Sequence, residues 1–212
     1  MGTKRRYEPG PPAQATFNWS EAEKFHRWPY DIATAKKLMT EAGYGDGFDL
    51  TMDCPNDRYV NDEEICQAVA AMLAHIGVRV ALNTLPKAQY FEKAGPTRYD
   101  SSFNLLGWIP GSLDSWNLLA NTVVCRDSQG RGGTFNFGGY CNPRIDELTH
   151  RILVEQDKTK RDAMISKAFR LLHEDAGIIP LHQQYLAWGA ARNIEVAQRA
   201  DGHIRFHWAR KN

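Results

Sequence analysis

FDLTMDCPNDRYVNDEEICQAVAAMLAHIGVRVAL, residues Phe48 to Leu82, decides the fold. Phe48, Leu50 and Met52 alternate with polar neighbours, the period of a half-buried strand. Ile65, Ala68, Val69, Met72, Leu73 and Ile76 then fall on one face of a helix. Asn61 and Glu64 stand at the spacing of a capping box, and Gly77 supplies the stop. Val78, Val80 and Leu82 return to period two. A strand, a helix and a second strand need a crossover connection, so the two strands run parallel and the class is α/β, a mixed sheet flanked by helices.

Upstream, Ala35, Leu38, Met39 and Ala42 recur at helical spacing behind Asp31 as the cap, with Gly43 as the left-handed stop. Residues 1–30 carry Pro9, Pro11, Pro12 and Pro29 without a sustained apolar period, and read as an irregular leader. Downstream, residues 99–116, YDSSFNLLGWIPGSLDSW, begin as a strand and break at Gly107, Pro110 and Gly111. The glycine-rich span from Gly130 to Gly139 reads as a surface excursion. Asn142 and Pro143 then open a helix with Ile145, Leu148 and Ile152 inward. Asp157 opens another, with Met164, Ile165, Ala168, Leu171 and Leu172 inward and Gly177 at its close. Ile178 to His182, Tyr185 to Ala190 and Ile204 to Trp208 read as short strands.

Two strand ends therefore lead into loops rich in recognition chemistry. The first holds Arg58 and Tyr59; the second holds Trp108, Asp114 and Trp116. Ligands of open α/β sheets sit beyond the carboxyl ends of the strands. A guanidinium can fork onto a carboxylate there, and an indole face can cover an apolar or cationic group. The competing reading makes both tryptophans core packing and Arg58 a loop residue bonded to Asp57 or to backbone carbonyls.

Composition narrows the function. The chain has 212 residues, 42% hydrophobic and 24% charged, with a net charge of +1, so no basic stripe recommends it to nucleic acid. No apolar run reaches the length of a membrane span, and no signal peptide is visible. GxSxG, P-loop, GxGxxG and HExxH patterns are absent, leaving catalysis, cofactors and metals without support. His203 and His207 lack an acidic partner in an obvious position, and Glu174 with Asp175 closes a helix. Cys54, Cys66, Cys125 and Cys141 lack metal spacing. They suit two local disulfides or four reduced thiols equally, and spacing leaves three connectivities open.

Taken together, YDIATAKKLMTEAGYGDGFDL, the helix ending AMLAHIGVRVAL, YDSSFNLLGW with its Asp114, GYCNPRIDEL and HEDAGIIPLHQQYLAWGA give a further reading. In this order they resemble the C-terminal lobe of bacterial extracellular solute-binding proteins of family 5, the peptide and nickel type. The resemblance implies a periplasmic binding protein-like type II lobe over residues 31–212, with residues 1–30 a leader or a remnant of an inter-lobe segment and the N-terminal lobe absent. It implies capture of a peptide-like or other small polar solute in the periplasm and delivery to ABC permease subunits, without covalent chemistry. A sensing or chaperone-like domain that presents ligand to a receptor is the alternative it allows. Export favours the pairs Cys54 with Cys66 and Cys125 with Cys141.

The resemblance also implies a ligand set of Arg58, Tyr59, Trp108, Asp114 and Trp116. Peptide-binding members read approximately GWxxDxxDP after the strand, the first aspartate holding the ligand's ammonium group. Gly111 and Ser115 stand here at the positions of that aspartate and of the proline. Loss of such a charge-assisted bond costs about 1.5 to 3 kcal/mol, which turns the expectation away from an ordinary peptide with a free amino terminus.

Overall fold

The computed structural model describes residues 28–211 apart from Pro110, Leu113, Ser128, Gly130, Gln183, residues 185–187, Gln198 and residues 200–201. Residues 1–27 of the leader and part of the strand expected over Tyr185 to Ala190 therefore lie outside the described residues. Helix α1 spans Ile32–Glu41 and strand β1 spans Phe48–Pro55. Helix α2 is Asp62–Ala74 and strand β2 is Val78–Leu85, parallel to β1 with Phe48 opposite Val78 and Pro55 opposite Leu85. The crossover expected from the Phe48 to Leu82 pattern is formed.

A third extended segment joins the other side of β1. Asn104 bridges Asp53 in parallel, with Asp53 N–H donating to the Phe103 carbonyl at 2.9 Å and Leu105 N–H donating to the Asp53 carbonyl at 3.2 Å. Alternation then sorts side chains to two faces. Leu50, Met52, Cys54, Val80, Leu82, Phe103 and Leu105 pack together with Cys66 and Val69 of α2. On the opposite face, Leu85 and Leu106 pack with helix α3, Lys87–Ala94, through Tyr90, Phe91 and Ala94, and with Phe137.

The same face holds a buried ion pair. Asp53 is 2% exposed and accepts from Lys93 Nζ at 2.7 and 2.9 Å and from Asn83 Nδ2 at 2.6 Å. Burial pushes its carboxyl pKa up, but donation from Lys93 and Asn83 outweighs it, and the group stays below the usual carboxylate range.

A second body is helical. The short helix α4, Ser115–Leu118, runs into a π turn at Leu119–Val123 and is followed by α5, Pro143–Val154, and α6, Lys158–Glu174. Leu119 and Val123 join Ile145, Leu148, Ile152, Ile165, Ala168, Phe169, Leu171 and Leu172 in one core. Asn142 and Asp157 cap α5 and α6 through their side chains, as their positions lead one to expect.

Several expectations are corrected. The capping box at α2 does not form: Asn61 sits at φ 56° without a side-chain cap bond, and Asp62 accepts from the N–H groups of Arg58 and Tyr59, each at 2.9 Å. Ala68 and Met72 face outward on α2, while Cys66 and Val69 are its buried apolar contacts with the sheet. Helix α1 buries no residue, although Asp31 caps it as expected. Ile178 to His182 forms no strand, and Phe206–Trp208 is a 3₁₀ turn. The strands found there are β3, Ile194–Glu195, and β4, Arg210–Lys211, an antiparallel pair.

Both cysteine pairs are disulfides, Cys54 with Cys66 and Cys125 with Cys141. No described helix is long and apolar enough to cross a membrane.

Candidate ligand-binding site

The carboxyl ends of β1 and of the Phe103–Leu105 segment lie side by side, so the loops that leave them meet. Tyr59 and Gly107 form the contact. The Tyr59 hydroxyl donates to the Gly107 carbonyl at 3.4 Å, and a Cβ added at Gly107 would stand 2.8 Å from Tyr59 Cε1. Only glycine lets the ring lie that close to the chain. Burial raises the Tyr59 phenol above its ordinary pKa, so it is a neutral donor at physiological pH.

Asp62 fixes the first loop. Its carboxylate takes the N–H groups of Arg58, Tyr59 and Glu63, which locks the turn that aims Tyr59 at Gly107. The Cys54–Cys66 disulfide closes the same loop from behind, with both cysteines fully buried. Arg58 is exposed, its guanidinium carbon 5.1 Å from the Tyr59 ring centroid. Among the described residues it has no ion-pair partner; Asp57 instead accepts from the Lys87 N–H at 2.6 Å. A solvated guanidinium stacked on an aromatic ring can form a two-pronged bond to a carboxylate.

Trp108 is half-buried and held on two sides. Its indole Nε1–H donates to Asn117 Oδ1 at 3.1 Å, and its ring lies 5.0 Å from that of Phe135. Phe135 in turn lies 5.8 Å from Phe137, which is buried against Tyr90. An aromatic wall thus runs from the sheet core to the exit of the loop.

Asp114 and Trp116 are placed differently. Asp114 caps α4 by accepting from the Trp116 N–H at 2.8 Å, and it also accepts from Arg161 Nη2 at 2.9 Å. Burial works against its ionisation, but Arg161 and the Trp116 N–H more than offset that, so its pKa is lowered. Trp116 donates from Nε1 to the Thr149 carbonyl at 3.1 Å and packs on the helical core. The loop ends thus bring Tyr59, with Arg58 over its ring, against Gly107, the chain neighbour of Trp108, whereas Asp114 and Trp116 are engaged with the helical body.

Sequence reading passes over Asn117 and Phe135. The alternation of Phe135 and Phe137 inside a glycine-rich span is a signal for the latter; nothing marks Asn117 before α4 is known. Among the described residues no cluster of His, Cys, Asp or Glu is suited to hold a metal ion.

The chain is 25% identical over 175 residues to di/tripeptide-binding protein 2 of Pseudomonas aeruginosa (strain UCBPP-PA14), covering 79% of this chain and 31% of that protein. It is 24% identical over 177 residues to the glutathione-binding protein GsiB of Salmonella typhimurium (strain LT2), covering 82% and 34%. It thus spans about a third of the length of these relatives. Among solved structures, a dipeptide-binding protein from Pseudoalteromonas sp. SM9913 in complex with Met-Leu superposes with a TM-score of 0.67 at 25% identity, over 86% of this chain and 36% of the other. An oligopeptide ABC transporter substrate-binding domain from Bacillus anthracis str. Ames gives a TM-score of 0.71 at 20% identity, over 91% and 37%, and supports the same fold. The α/β architecture is therefore that of periplasmic binding proteins. The sequence model of the "Bacterial extracellular solute-binding proteins, family 5 Middle" matches residues 2–130, and the chain belongs to that family.

Proposed function

We propose that residues 31–212 form the C-terminal lobe of a two-lobed solute-binding protein of an ABC importer, which closes over a small polar solute in the periplasm and passes it to the permease. The observation that carries this reading is the meeting of the loop of Arg58 and Tyr59 with the loop of Gly107 and Trp108 at the carboxyl ends of parallel strands. Relatives named for di- and tripeptides and for glutathione support a peptide-like solute. Arg58 pairs with an anionic group of the solute, and Tyr59 and Trp108 cover its body. Asp114 and Trp116 serve the site by bracing the loop between Trp108 and α4, consistent with their bonds to Arg161 and Thr149. The role is binding and release, with no bond made or broken in the solute.

The test is calorimetry on the full two-lobed polypeptide with Met-Leu, tripeptides and glutathione as probes. Tight binding of one of these, weakened at least about tenfold by Arg58→Ala, is expected from loss of a charge-assisted pair. Binding that survives both Arg58→Ala and Trp108→Ala at full strength would place the solute elsewhere. If free-amino peptides are ignored while an amino-blocked or non-peptide anion binds, Gly111 explains the choice.

A further inference from the structure

The two disulfides differ in reach. Cys54 and Cys66 are fully buried between β1 and α2, whereas Cys141 is exposed and Cys125 half-buried. The loop that the second pair closes carries Phe135, the ring stacked against Trp108. Beside the sulfur bridge, two side chains tie the residues at its neck. Cys125 N–H donates to Asp146 Oδ1 at 3.0 Å, and the buried Asn136 amide donates to the carbonyls of Val124 at 2.9 Å and Tyr140 at 2.6 Å, each next to a cysteine. The Asn136 amide therefore spans the same two strands of chain that the sulfur bridge spans.

We propose that Cys125–Cys141 is a reducible clasp on the aromatic wall of the candidate site, and that opening it loosens Phe135 from Trp108 while the Cys54–Cys66 bridge stays intact. A dithiol is the co-reactant. One of its thiolates attacks the sulfur of Cys141, the more exposed residue of the pair, and Cys125 leaves as a thiolate that takes up a proton. The second thiol of the reagent then resolves the mixed disulfide, so that Cys141 is freed as a thiol and the reagent ends as a disulfide, two electrons having passed. The buried pair resists because the reagent cannot reach either sulfur without unfolding β1 from α2. With the bridge open, the Asn136 amide and the Cys125 bond to Asp146 still hold the neck, and the Phe135 backbone keeps its bond from N–H to the Asn121 carbonyl at 2.8 Å. The ring gains freedom without collapse of the loop. The consequence for solute affinity rests on the proposed binding reading, but the clasp itself does not.

The experiment therefore contains no solute. The folded protein is exposed to dithiothreitol, samples are trapped with iodoacetamide, and peptides are mapped by mass spectrometry. Cys125 and Cys141 should be labelled at least about tenfold sooner than Cys54 and Cys66, the order set by access. The fluorescence difference between the parent and Trp108→Phe should change on the same time course. The double variant Cys125→Ser/Cys141→Ser should show the reduced-state Trp108 signal without any reductant. Equal labelling of all four cysteines, or a Trp108 signal that stays constant after Cys125 and Cys141 are free, overturns the proposal. If the double variant fails to fold, the labelling and fluorescence courses on the parent still decide. Failure of calorimetric binding in the two-lobed protein would leave these readings untouched.

Discussion

Gly107 and Lys93 are two positions where a single substitution should be felt directly. Gly107→Ala drives a methyl group into the Tyr59 ring, which must swing away from the strand exit. We expect a cost of about 1 to 3 kcal/mol in denaturant unfolding, as for other overpacked sites, and a larger loss of solute affinity in the two-lobed protein. Unchanged stability together with unchanged affinity would mean that Tyr59 has no fixed place at the site. Lys93→Met leaves the Asp53 carboxylate buried beside Asn83 without its cation. That change should destabilise the lobe by about 3 kcal/mol, measured by urea unfolding, because an uncompensated buried charge is the expensive half of a broken pair. The companion Asp53→Asn/Lys93→Met should recover part of the loss.

At the scale of elements, Asp114 and Arg161 join the loop after Trp108 to α6, and Arg161 also donates from Nε to the Ile152 carbonyl at the end of α5. The Asp114 carboxyl is lowered in the folded state, so the unfolded chain takes up a proton first as the pH drops. Its contribution is present above about pH 4, the ordinary carboxylate range, and is lost as the pH falls through the lower folded value. Melting temperatures of the parent and Asp114→Asn should therefore differ at pH 7 and converge in acid; a gap that widens in acid would contradict the assignment.

The same elements show how far the residue pattern reaches. The strand, helix, strand unit and the caps Asp31, Asn142 and Asp157 are local signals, and the structure keeps them. Helix α3 escapes notice because KAQYFEKA is polar and opens on Pro86 without a side-chain cap, its place being set by Tyr90 and Ala94 against the sheet. Ile178 to His182 fails as a strand for a related reason. The run is apolar, but Pro180 brings no ladder donor and no described segment pairs with it. At the candidate site, the places of Arg58, Tyr59 and Trp108 in loops beyond neighbouring extended segments were legible from the residue pattern. The commitment of Asp114 to Arg161 was not, because 47 residues separate them in the chain and only the fold brings them together.

For the whole molecule, the proposed two-lobed reading gives this chain one wall of a cleft. Calorimetry on these 212 residues alone should show weak or undetectable binding of Met-Leu or glutathione, while the two-lobed polypeptide binds its solute well. Tight binding by the lobe alone would refute the shared-cleft reading.

The sheet has a further consequence outside recognition. Among the described residues nothing pairs with the outer side of β2, which leaves an eight-residue strand with open backbone groups, and Ala81 in its middle is exposed. Such a border invites a second copy to add its own strand, so the purified lobe should self-associate as its concentration rises. Light scattering would show this, and Ala81→Lys, which sets a charge on the open border, should keep the protein monomeric and raise the yield of usable material.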